Sequence, residues 1–207
     1  VLDFPPDLFR WTGGTISLPD EGMAELRNID CPGNVVLDLA EGARVDLVGG
    51  SYLGGMTFHL AQYSVVGLGA QGGQYPVHSG LLTGSGDGTV QLHGGELHAG
   101  PGGLTLDFPG DIFQWTGGVL DASLGAVTNL GTLNLAGTSP ATLVQHGVLD
   151  NFGTIIQTGV SDLVLAGDSS VTATVKIEPG ASYLIASDAG IATSVAGRAA
   201  LINEGTI

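Results

Sequence analysis

The chain has 207 residues, suiting one ordinary domain or a run of small repeats. Twenty acidic residues against five basic ones give a net charge of -15, which argues against nucleic acid, whose phosphates must be neutralised by Lys and Arg, and against a polybasic contact with anionic lipid. An apolar fraction of 43% argues against disorder, the 36 glycines lack the three-residue period of collagen, and no apolar run offers a membrane span.

The chain opens at Val1 inside a motif, with no basic region and apolar core of a signal peptide, and it closes at Ile207 inside another motif. The expectation is a segment of a longer array. The first element, Leu2 to Ile16, returns in the second half as Leu106 to Leu120. Leu, Asp, Phe, Pro, Asp, Phe, Trp, Thr, Gly and Gly coincide, so the chain reads as a continuous tandem pair, 1–104 and 105–207.

Both copies carry a tryptophan, Trp11 and Trp115, and a pair of carboxylates, Asp3 with Asp7 and Asp107 with Asp111. The tryptophans read either as platforms for sugar rings or as packing against Phe9 and Phe113, and large aromatics favour packing. Paired carboxylates suit glycosidase chemistry, but an active site occurs once, so recurrence favours Asx turns. Calcium is a further reading of the same oxygen ligands.

Further along, Cys31 has no partner for a disulfide and reads as a small buried hydrophobe. Val35, Leu37 and Leu39 alternate with Val36, Asp38 and Ala40, and Val45 and Leu47 flank Asp46, which is the period of a strand. Gly67-x-Gly69-x-x-Gly72 matches a dinucleotide fingerprint in letters only. Thr83-Gly84-Ser85-Gly86-Asp87-Gly88-Thr89 reads as a tight turn. His93-Gly94-Gly95-Glu96-Leu97-His98 is the densest cluster of ligand types, with Glu96 and His98 on one strand face. Zinc needs three or four converging ligands, and His59, His78 and His146 are not visibly tied to that cluster.

The second half repeats on a shorter period. Asn-x-Gly-Thr occurs at Asn129, Asn151 and Asn203, with spacings of one coil and then two. Asn at a repeated turn predicts a ladder of amides bonded from coil to coil. Val171, Val175 and Ile177 alternate with Thr172, Thr174 and Lys176. The Ala-rich stretch from Ala181 to Ala200 reads as strands rather than a short helix, because Gly190, Gly197 and β-branched residues interrupt it.

Short alternating strands, frequent turns and coil-length repetition predict an all-β fold. The expected fold is a parallel β-helix, or β-solenoid, with coils of roughly 20–26 residues. At about 4.8 Å per coil, roughly nine coils span about 45 Å. A β-sandwich explains the alternation but not the repetition.

Phe9 to Ile16, Phe113 to Leu120 and Asn129 to Gly137 resemble repeats of large secreted or surface-displayed bacterial β-solenoid proteins. These are broadly similar to filamentous-haemagglutinin-type adhesins and autotransporter passenger domains. The resemblance implies an extracellular or cell-surface scaffold acting in adhesion or as an envelope fibre. Its partners would be further copies or further chain stacked head to tail, and surface glycans. No cofactor and no enzymatic activity are expected. The alternative is a carbohydrate-binding or carbohydrate-cleaving β-helix using Trp11, Trp115 and the Asp pairs.

Overall fold

A computed structural model describes residues 2–3, 9–69, 75–144, 147–194 and 197–207. The chain is a β-solenoid of about 8 turns, all-β, with no helix among the described residues. Among the described residues every strand pairing is parallel. Each coil lays one strand on each of three ladders.

The first ladder begins with Thr15–Leu18, Val35–Leu39 and Met56–Leu60, and ends with Val148–Asn151, Thr172–Ile177 and Arg198–Asn203. The second runs from Leu2–Asp3, Met23–Arg27 and Arg44–Val48 to Thr154–Gln157 and Ser182–Ile185. The third runs from Asp30–Cys31 and Ser51–Tyr52 to Leu163–Ala166 and Ile191–Thr193. In mid-chain, Val77–Gly86, Thr89–Asp107 and Phe113–Asp121 bend and serve more than one ladder. The boundary between the two sequence units falls inside Thr89–Asp107, so the stack runs through it without a break.

Alternation places the core. Along Val35–Leu39 the odd positions are buried and Asp38 is exposed. The inward residues stack into columns such as Val127, Leu149, Val175 and Leu201. Where a column meets Gly84, the missing side chain is replaced by a neighbour. The Phe108 ring fills that space and stacks on Phe58 with centroids 6.0 Å apart. A Cβ at position 84 would meet Phe108 Cε1 at 3.3 Å and Phe58 Cβ at 3.2 Å.

The registers give the coil length. The coil from Trp115 to its register partner Leu135 sits at the short end of the expected range. The coil from Ile155 to its partner Tyr183 is longer than the range allows, so the expected upper limit is too low. The extra residues lie at corners, which lengthen without disturbing strand register.

One corner recurs with the same geometry. Gly22, Ala43, Ser64 and Ala181 each donate their backbone N–H to the carbonyl three residues back. The third residue of each turn has positive φ: Glu21 at 54°, Gly42 at 68°, Tyr63 at 62° and Gly180 at 86°. Glycine holds that conformation freely, whereas a residue with a Cβ is strained by about 1–2 kcal/mol. Tyr63 is 70% exposed, so its ring adds little packing. Tyr63→Gly is expected to raise stability by about 0.5–1 kcal/mol, after the entropy that glycine loses on folding. A higher urea midpoint at unchanged slope checks this.

Candidate functional site

The two tryptophans lie inside the solenoid. Trp11 is 7% exposed and Trp115 is 1% exposed. Each indole N–H donates to a carbonyl of its own Gly-Gly pair, Trp11 to Gly13 at 2.9 Å and Trp115 to Gly118 at 3.4 Å. Leu92 and Leu135 are the register neighbours of Trp115 in the adjoining coils. Both rings fill the core, and neither presents an open face to a sugar ring.

Asp7 lies outside the described residues, and Asp3 is described only by its backbone, which pairs with Arg27. Asp107 and Asp111 are both exposed. Their backbone carbonyls accept bonds from Thr83 Oγ1 and Gln114 Nε2, while their carboxylates accept none that is described. Among the described residues no group of three His, Cys, Asp or Glu side chains is arranged to hold a metal ion.

The asparagine ladder exists and joins two coils. Asn129 Nδ2 donates to Asn151 Oδ1 at 2.7 Å, with both side chains buried. Asn151 in turn donates to the carbonyls of Gly153 and Ser182. The next position in the column is Ile177, which separates Asn151 from Asn203. Asn203 is exposed, and its Oδ1 accepts from the Gly205 N–H within its own turn. The interval from Asn151 to Asn203 is indeed two coils, but an apolar residue stands in the middle one.

Glu96 and His98 do share a face. His98 Nε2 lies 3.1 Å from Glu96 Oε2, and Nδ1 lies 3.6 Å from Asp121 Oδ2 on the next coil. Tyr75 stacks on the imidazole at 5.1 Å. The carboxylates face opposite ring nitrogens, so they diverge rather than converge on one ion.

Beneath that surface an inward column of the third ladder reads Cys31, Tyr52, His78. All three are fully buried. Tyr52 and His78 stack at 4.7 Å, and neither the phenol oxygen nor either imidazole nitrogen has a hydrogen-bond partner among the described residues. Burial, with Asp30 adding to it, pushes the Cys31 thiol up to about 12. Burial alone pushes His78 down to about 3. The two coils that separate these residues differ in length, so no sequence pattern tied His78 to Cys31.

The last coil is open. Leu201 continues the column of Val127, Leu149 and Val175, yet it is 43% exposed whereas Val175 is fully buried. Ile185 continues the column of Trp115, Leu135 and Gln157 and is 42% exposed. Leu184, Ile202 and Ile207 add to this apolar end.

These features define a β-solenoid built on apolar inward columns. No family model matches the sequence, and no curated protein or solved structure matches it.

His78 makes stability dependent on pH. Above its ordinary value of 6.5 neither folded nor unfolded chain protonates it, and its neutral burial carries no penalty from ionisation. As pH falls from 6.5 towards about 3, only the unfolded chain takes the proton, and stability falls by up to about 1.4 kcal/mol per unit. Below about 3 both states are protonated and the loss is complete. His78→Leu is expected to flatten the acid limb over this window relative to the parent, read as the difference between their urea midpoints at each pH.

Proposed function

We propose that this chain is a structural segment of an extracellular or cell-surface bacterial β-solenoid, which continues end to end by stacking coil on coil and serves adhesion or an envelope fibre. The observation that carries this reading is the in-register parallel stacking of coil on coil, a geometry that a coil of another copy can extend. Leu201 and Ile185 stand where the preceding coils bury the corresponding residue under a neighbour. Among the described residues the backbone edge of Arg198–Asn203 pairs with Thr172–Ile177 on one side only, and such an edge is a template for another strand. A coil of the same build satisfies both demands together. It supplies N–H and C=O groups at one strand spacing and caps the apolar columns.

Such head-to-tail contact is heterologous, and it yields open fibres when it does not close. The net charge of -15 keeps fibres from clumping side to side. The surface location and adhesive role rest on the resemblance of the Phe-x-Trp-Thr-Gly-Gly and Asn-x-Gly-Thr repeats to those of bacterial surface solenoids. Buried tryptophans give the carbohydrate alternative no support.

Analytical ultracentrifugation and electron microscopy of this chain test the stacking. Rods that lengthen with concentration are expected, and Leu201→Lys with Ile185→Lys should return discrete particles about 40 Å long. A parent that stays monomeric at all concentrations overturns end-to-end stacking.

A further inference from the structure

An outward column of the first ladder reads Ser17, Asp38, His59 and Ser85 over four successive coils. All four residues are exposed. In-register strands lie about 4.8 Å apart, so Asp38 and Ser85 flank His59 on opposite sides, each one strand spacing away. No side-chain hydrogen bond or ion pair to another described residue holds Asp38, His59 or Ser85. Their exposed side chains turn on the picosecond-to-nanosecond scale.

Two grooves meet at Ser85. One, of about 510 Å³, runs back along Ser17, Asp38 and His59. The other, of about 580 Å³, lies beyond Ser85 and is lined by Asp87, Pro109, Asp111 and Gln114. A molecule whose reacting carbon lies over Ser85 therefore has room on both sides.

We propose that Ser85, His59 and Asp38 form a nucleophile, base and positioning group that hydrolyses neutral or cationic carboxylic esters, an activity beyond the scaffold role. Asp38 accepts a bond from His59 Nδ1–H and leaves Nε2 free to accept the Ser85 hydroxyl proton. Ser85 Oγ attacks the ester carbonyl carbon as its proton passes to Nε2. The tetrahedral adduct collapses, the carbon–oxygen bond to the alcohol breaks, and the alcohol leaves with that proton. Water then gives a proton to His59 and its oxygen attacks the acyl carbon. Ser85 Oγ departs and recovers the proton. The sum is ester plus water to acid plus alcohol.

The backbone N–H groups of Asp87 and Gly88 are already bonded to the Leu60 carbonyl, so they offer no oxyanion hole. The acceleration expected is that of positioned base catalysis, about 10²–10⁴-fold. Asp38, Asp87 and Asp111 repel an anionic substrate.

The test uses the full chain with p-nitrophenyl acetate, and circular dichroism confirms that each surface variant is folded. Saturable nitrophenol release and an acetyl adduct on the peptide holding Ser85 are expected. Ser85→Ala and His59→Gln should each reduce turnover more than about 10-fold. Asp38→Asn should shift the pH–rate profile, and an ester with an anionic acyl group should react more slowly than the acetate. A Ser85→Ala variant as fast as the parent overturns the proposal, because an exposed imidazole then does the work alone. A parent no faster than free imidazole overturns it equally. Neither result bears on rod formation, which is read separately.

Discussion

In-register parallel hydrogen bonding between coils governs this molecule. Once strands pair position for position, the nearest neighbours of any side chain are its counterparts one coil above and below. A residue type is therefore tested against its own column before anything else. Apolar columns gain continuous burial, as along Val127, Leu149 and Val175. Charged columns meet repulsion at one strand spacing, which explains why charged residues make up only 12% of the chain.

Where like charges do stack, the strand neutralises them locally. Glu25 and Asp46 are register partners. Arg27 bonds Glu25 through Nε and Nη2, and Arg44 bonds Asp46 in the same way, each cation two residues from its carboxylate on the same strand face. The cations lie on opposite sides of the carboxylate pair, so four charges form a flat alternating patch. Half-exposed pairs of this kind add little stability, and their effect is to make the stacked carboxylates tolerable. Lys176 serves the same purpose further along, bonding Glu178 at 2.6 Å and reaching Glu204 at 3.4 Å. Asp150, its register partner, is nonetheless raised above the usual carboxylate range, first by burial and then by Glu178.

The same constraint separates what the sequence reveals from what it hides. Alternation within a strand is local, so Val35–Leu39 and Thr172–Ile177 are legible residue by residue. The Asn129–Asn151 rung is legible because both residues sit in one repeated motif. Column membership elsewhere depends on how many residues each corner absorbs, and that number varies between the coil that joins Trp115 to Leu135 and the one that joins Ile155 to Tyr183. The spacing between Asn151 and Asn203 is consistent with a ladder, and only the register reveals Ile177 between them. His78 and Cys31, or Ser85 and Asp38, belong to common columns through two coils of unequal length, an irregular period that carries no sequence signature. The tryptophans were legible as a pair, but whether an aromatic faces in or out follows from strand phase, and the phase of Trp115 is set by its register with Leu92 and Leu135.

Corners that vary and strands that do not leave the two sides of the wall under different demands. An inward residue must fill a column at close packing, and a polar one there needs a partner in the next coil, as Tyr183 finds when its hydroxyl donates to Gln157 Oε1 at 2.8 Å. Tyr52 and His78 break that rule, and the acid sensitivity of His78 follows from the breach. An outward residue answers only to its two column neighbours and to water. Three adjacent coils can therefore carry Asp38, His59 and Ser85 without disturbing the core, since Leu37, Phe58 and their neighbours hold the strands from the other side. Stability resides in the inward columns. Chemistry added to an outward column leaves coil-on-coil stacking intact, so a solenoid of this build accommodates a reactive column at no cost to its core.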